Sequence, residues 1–245
     1  MGFMRGHMLP KSYIEAWADK KNTVDVIDLQ DGRGFPSSIR TATAVTDVYD
    51  AEVLTNNLEK IYSKIEDAGS RVLVKLRNGD QALTKAEREA MIAFLDMHLD
   101  RGRYADRAKV RAPALIVKTN GEIEEAELRL GDALTLSQSL PDLLRLRALG
   151  LGLWEWSVWT VTGLITGDGA VVLSRSAQDT SISTVFFPLS PTKLLVIGHK
   201  FPPEVPINDW IVSNSKRWIV GTRGSLDLHS ADKENAGAQP PSASP

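Results

Sequence analysis

Two amphipathic segments joined by a short polar break constrain this chain more than any other feature. Across residues 54–76, Leu58, Tyr62, Ile65, Gly69, Leu73 and Leu76 recur at spacings of three and four, which places them on one helical face. Asn78-Gly79-Asp80 stops that helix, glycine being the usual residue just past a helix end. Thr84-Lys85-Ala86-Glu87 opens the next one as a capping box, in which the Thr hydroxyl and the Glu carboxylate satisfy amides that lack a helical partner. Met91, Phe94 and Leu95 form its inward stripe, and the helix runs to about residue 103. So short a connection favours an antiparallel pair.

His98 and Arg101 continue the Met91, Phe94, Leu95 stripe at spacings of three, so both point toward the core side of their helix. A buried arginine is rare unless paired. Glu66, one turn beyond Tyr62 on the inward face of the preceding helix, is its natural partner in a desolvated ion pair. Such a pair is read in two ways: as a structural latch between two helices, or as part of a functional site.

Elsewhere the signals are shorter. Residues 24–29 alternate apolar and acidic and read as a half-buried strand, closed by Asp31-Gly32. Residues 39–45 and 114–118 suggest further short strands, 122–129 an acidic helix and 134–149 a Leu-rich helix. From Trp156 the pattern turns to strands at 156–165, 170–173, 182–187 and 193–197, before a last helix at 207–218. The expected fold is α+β: an N-terminal antiparallel helix pair packed on a mostly antiparallel sheet from the C-terminal half. Residues 1–222 form one domain, and 223–245, rich in Pro, Ala and Ser, form a disordered polar tail. Asp168, between Gly167 and Gly169, is either a function-bearing loop residue or a plain Asp-Gly hairpin turn. His199 and His229 suggest no partner.

Composition removes several function classes. The absence of cysteine excludes disulfides, zinc fingers and thiol nucleophiles within the chain. With 29 Lys and Arg against 31 Asp and Glu, the net charge of −2 lacks the basic excess of a generic nucleic-acid binder. The most apolar stretch, 149–166, is interrupted by Glu155 and carries Trp154, Trp156 and Trp159, so it reads as a buried strand region and not as a membrane span. The first residues lack an apolar signal core, and Gly6 stands where a myristoylation motif needs Ser or Thr, so the expected location is cytoplasmic. No Gly-rich phosphate loop or Gly-x-Ser-x-Gly elbow occurs. His7, Glu66, His98 and Asp168 together make a two-His, two-carboxylate set of the kind that holds a divalent metal and activates water, although they are scattered in sequence.

Three stretches then line up with a known family. His7-Met8-Leu9-Pro10-Lys11-Ser12-Tyr13, with Ala16-Trp17-Ala18-Asp19 after it, resembles the opening His-x-x-Pro motif of the domain of unknown function 4238 family. Glu66 and the Thr-capped helix of 84–103 are similar to that family's helix pair, with His98 where Gln is usual and Arg101 matching its Arg. Ile165-Thr166-Gly167-Asp168 resembles its Thr-Ser-Asp-Asn-Pro turn, followed by Phe187-Pro188-Leu189-Ser190-Pro191 and by residues 208–220. Gly167 and Gly169 replace the usual Ser and Asn, and the Pro is missing. The resemblance implies a setting in bacteria and their phage or other mobile elements; it supplies no settled activity.

Two functions are left to weigh. The first is a non-catalytic interaction protein, such as a host-defence or mobile-element accessory factor, with a closed Glu66–Arg101 latch, an exposed apolar patch elsewhere, and a protein partner or second copy to cover it. The alternative is a metal-dependent, nuclease-like hydrolase acting on nucleic acid or nucleotides, with Glu66, His98, Arg101 and Asp168 around one cleft. The sequence names no cofactor.

Overall fold

The structure, a computed structural model, describes residues 5–46, 58–140, 143–176, 181–199 and 205–228. A short strand, β1 (Arg5–His7), leads through Pro10 into one helical turn, α1 (Lys11–Ile14). Strands β2 (Thr23–Asp28), β3 (Arg33–Ser38) and β4 (Ala44–Thr46) precede the two long helices, α2 (Leu58–Arg77) and α3 (Lys85–Arg103). A hairpin of β5 (Ala112–Val117) and β6 (Ile123–Leu128) runs into α4 (Leu130–Ser137). The C-terminal half adds β7 (Trp156–Thr160), β8 (Thr166–Gly167), β9 (Val172–Arg175), β10 (Ile182–Ser190), β11 (Lys193–Gly198), α5 (Ile207–Asn214) and β12 (Trp218–Gly221). The class is α+β. No helix among the described residues is long and apolar enough to cross a membrane.

The helix pair forms for the reasons visible in its residues. Thr84 Oγ1 accepts the Glu87 amide at 3.3 Å while Glu87 Oε2 accepts the Thr84 amide at 2.8 Å, closing the capping box. Along the pair Glu66 meets Arg101, Gly69 meets Phe94 and Lys75 meets Glu87, so the helices run antiparallel. The buried stripe of α2 is Leu58, Tyr62, Gly69, Val72, Leu73 and Leu76, with Ile65 half-buried against the same core. Residues 54–57 of the expected helix lie outside the described residues.

Among the described residues all strand pairings are antiparallel, in two four-stranded sheets ordered β7-β11-β10-β9 and β3-β2-β12-β8, a small β1-β4 pair, and the separate β5-β6 ribbon. Strands β10 and β11 are covered on both faces. Val185, Phe187 and Leu189 with Leu195 and Ile197 face the helices, while Phe186, Leu194 and Val196 face a second cluster around Ile207 and Ile211 of α5. A strand sandwiched in this way reads as a continuous apolar run.

The expected sheet from the C-terminal half alone is corrected in one respect: N-terminal β2 and β3 join β12 and β8 in the second sheet, with Val26 opposite Val220. Residues 122–129, expected as a helix, form β6, because Glu residues with good helix propensity are overruled by the pairing with β5. The expected helix 134–149 ends at Ser137, and Leu146–Leu149 is a separate 3-10 turn. Asp96 and Asp100 on α3 hold that segment, accepting the amides of Leu146 and Arg147 and the guanidinium of Arg145. The last helix stops at Asn214, so Trp218 lies on a strand. The polar segment expected from residue 223 starts anchored: Arg223 and the Gly224 amide bind the Asp25 carboxylate. Residues 229–245 lie outside the described residues.

Gly69 lets the helices touch. A Cβ there would meet the Phe94 ring and its Cβ at 2.5–2.7 Å, and Phe94 is itself fully buried. Although Ala is about 1 kcal/mol better than Gly in a helix, Gly69→Ala should destabilise the protein by about 1–3 kcal/mol through overpacking, measured by urea unfolding.

Candidate functional site

The C-terminal end of α3 is the place where the sequence-selected residues gather. His98 and Arg101 leave the same face one turn apart, as their spacing requires, and both are buried. Arg101 Nη1 donates to Glu66 Oε1 at 2.5 Å, and its guanidinium lies 4.8 Å from the centre of the Tyr62 ring. The pair is only partly desolvated: the Arg101 side chain is 3% exposed and that of Glu66 27%. Glu66 thus screens the cation at the rim while Tyr62 covers it inside.

His98 turns inward from this latch. Its Nε2 lies 3.0 Å from the Gly167 carbonyl oxygen. A carbonyl only accepts, so Nε2 carries the proton and Nδ1 is left as a buried acceptor without a hydrogen-bond partner. Burial, opposed by the bond to Gly167, lowers its pKa from 6.5 to about 4, and the nearby Arg101 cation adds to the lowering. His98 is therefore neutral at pH 7. Its ring meets Tyr13 and Phe187 edge-on at 5.4 and 5.3 Å. His7, on β1, donates from Nε2 to the Arg40 carbonyl oxygen 3.1 Å away; burial lowers its pKa, and it feels the charges of both Glu66 and Arg101.

Asp168 reaches the same region by its backbone but sends its carboxylate elsewhere. Oδ2 accepts the Lys216 amide at 2.7 Å, and Oδ1 accepts the amides of Arg217 at 3.2 Å and Trp218 at 2.5 Å. Three consecutive amides are thereby taken out of helical continuation, which is why α5 ends and β12 begins. Burial raises the Asp168 pKa against the lowering effect of those donors. The residue is a cap for a distant strand start and not the simple hairpin turn that Asp-Gly suggests. The flanking glycines are explained by crowding: a Cβ at Gly167 would overlap the Trp218 carbonyl, one at Gly169 the Ser215 amide, and one at Gly102 of α3 the Asp168 carbonyl.

Sequence reasoning quoted Tyr13 without giving it a role, and it proves central. The phenol donates to the Pro188 carbonyl at 2.8 Å and meets the Thr166 hydroxyl at 2.7 Å, while its ring stacks on Phe187 at 4.8 Å. Burial pushes its pKa well up. Arg77, at the end of α2, donates to the carbonyls of Leu189, Ser12 and Tyr13, and Trp17 donates to the Leu164 carbonyl. The signal was the aromatic that follows His-x-x-Pro; its partners are more than 150 residues away and left no local trace. His7, Glu66, His98 and Asp168 do not assemble into a ligand set: among the described residues no group of three or more His, Asp or Glu side chains is placed to hold a metal.

The model of a family described as a protein of unknown function, DUF4238, matches residues 5–133, more than half of the chain. The chain belongs to the DUF4238 family. That match contains His7, Glu66, His98 and Arg101, whereas Asp168 lies beyond it. No curated protein and no solved structure matches the chain. Within this DUF4238 protein the matched N-terminal half supplies α1, α2 and α3, and the remainder supplies backbone carbonyls that they dock against, such as those of Gly167 and Pro188.

His98 unfolded takes up its proton near pH 6.5 and folded only near pH 4. The unfolded state binds more protons between those values, so the stability tied to neutral His98 is complete above about pH 6.5 and is lost as pH falls toward 4, by about 3 kcal/mol. His98→Gln keeps a donor for Gly167 and removes the titration; its unfolding free energy should fall less over that window than the parent's. Asp168→Ala strips three backbone amides of their acceptor and should cost about 3 kcal/mol or more in denaturant unfolding.

Proposed function

We propose that this protein acts by binding another protein and not by catalysis. The observation that carries this reading is the closure of the candidate site on itself. The Asp168 carboxylate is occupied by three backbone amides, His98 is neutral and pinned to Gly167, and Arg101 is engaged by Glu66 and Tyr62. Groups that serve a reaction need a face toward the substrate; these are turned toward the protein. They act as a tie between the helix pair and the sheets.

The surface offers a counterpart in the β5–β6 ribbon, which pairs with no third strand among the described residues. Leu115, Val117 and Ile123 on its outer face are 68, 69 and 67% exposed. Val117 sits opposite Ile123, while Leu115 and Pro113 sit opposite Glu125 and Glu127, so an apolar tip grades into an acidic base. An exposed apolar cluster of this kind marks an interaction surface, and a two-stranded ribbon gains order when another chain lies along it. Glu125 and Glu127 on the same face repel a second copy of the same strand. The fitting occupant is an extended segment of a different protein that alternates apolar and basic residues.

Peptides selected by display against the purified protein test this. They should be enriched in alternating apolar and Lys or Arg residues and should lose affinity at least about tenfold for the Leu115→Asp/Val117→Asp/Ile123→Asp variant. Equal binding to that variant, or a stable dimer in sedimentation that the variant disperses, overturns the proposed occupant. A metal-dependent nuclease activity abolished in folded His98→Gln overturns the non-catalytic reading itself.

A further inference from the structure

The β2–β3 turn, residues 41–45, the connection 108–111 and the start of β12 line an open cleft of about 370 Å³. That is the size of a small-ligand site. Its charge is unlike that of the whole chain. Arg33, Lys109, Arg111 and Arg217 line it, against Asp28 and Asp31, in a protein whose net charge is −2.

The two carboxylates are already engaged. Asp28 Oδ2 accepts Nε and Nη2 of Arg217 at 3.3 and 3.4 Å, and its Oδ1 accepts the amides of Gln30 and Asp31. Asp31 stands 3.8 Å from Arg33 at the exposed rim. Lys109 and Arg111 are exposed, so their charge is available at the mouth.

Arg217 is the unusual group. It is 4% exposed, yet its Nη1 has no hydrogen-bond partner. A buried donor left unpaired is costly and calls for an occupant or a water. Two of the guanidinium groups lie over aromatic rings, Arg217 at 4.3 Å from the Trp218 ring centre and Arg33 at 5.8 Å from that of Phe35. Stacking in this manner fixes the plane of a guanidinium; with Nε and Nη2 of Arg217 held by Asp28, Nη1 is the donor left for an oxyanion.

We infer that this cleft binds a small phosphate-bearing molecule. Arg217 supplies the fixed charge at its floor, and Lys109, Arg111 and Arg33 supply the charge that draws the anion in. The backbone of Arg217 and Trp218 is held by Asp168, while their side chains line this cleft. The four basic groups line one cleft of small-ligand size, which suits a small anion.

Titration calorimetry of the whole chain with sodium pyrophosphate, against sodium chloride at matched ionic strength, tests the inference. The expected result is saturable binding at one site that weakens as salt is added and drops at least about tenfold in Lys109→Ala/Arg111→Ala. Both residues are exposed, so that variant should unfold at the parent's temperature. Arg217→Lys, if it folds, should lose binding as well. ADP binding as tightly as pyrophosphate assigns the cleft to the phosphates alone, and tighter ADP binding extends it to a nucleotide; both support the site. Absence of saturable pyrophosphate binding, undiminished binding by the double variant, or binding of a short single-stranded oligonucleotide without pyrophosphate binding overturns it.

Discussion

The architecture depends on one carboxylate. Asp168 accepts three successive amides from Lys216, Arg217 and Trp218, and its own amide returns a bond to the Trp218 carbonyl. That knot fixes where β12 starts, and β12 is the strand that joins β2 and β3 to β8. The Asp168 carbonyl in turn lies against Gly102, and the neighbouring Gly167 carbonyl holds His98, so the end of α3 is registered on the same point. Move this carboxylate and both the second sheet and the seat of the helix pair lose their reference. A buried acid with raised pKa is tolerable there because its charge is spread over donors that would otherwise be unsatisfied.

Around the knot the protein spends its ionisable groups on backbone. Arg77 serves three carbonyls, Asp96 serves two amides, and Asp25 ties Arg223 and Gly224. The irregular segment 143–155, which makes few ladder bonds, is held against α3 by such side chains. Polar residues at apolar positions of the helices therefore have a common purpose. They satisfy a connecting chain that no sheet or helix would satisfy.

What the sequence revealed, and what it hid, follows from the range of the forces involved. The pair α2 and α3 was legible because its determinants are local: a three-four apolar spacing, a capping box, a glycine stop. The inward turn of Glu66, His98 and Arg101 was legible for the same reason, and the family motif marked His7 and Tyr13. Where distant groups decide, local reading failed. The Glu-rich residues 122–129 look helical until β5 pairs with them, and residues 216–218 look like a continuing helix until Asp168, some 50 positions earlier, captures their amides. Asp168 itself was located, but the direction of its carboxylate was not, since a Gly-Asp-Gly turn carries no mark of what it caps. The cation-lined cleft escaped notice because its four cations come from three segments far apart in sequence, the start of β3, the connection before β5 and the start of β12.

The pairing of β2 with β12 has a consequence for how the chain matures. Asp28 and Arg217 are 189 positions apart and share a bond, so the second sheet cannot close until nearly all of the described chain exists. Contacts of such long range are slow to form because their loop entropy is lost before they repay it. During synthesis α2 and α3 emerge early and can dock at once, while Val24 and Val26 on β2 wait with one edge open. The helix pair is complete in sequence by residue 103, whereas the second sheet needs residues 216–218 to reach Asp168.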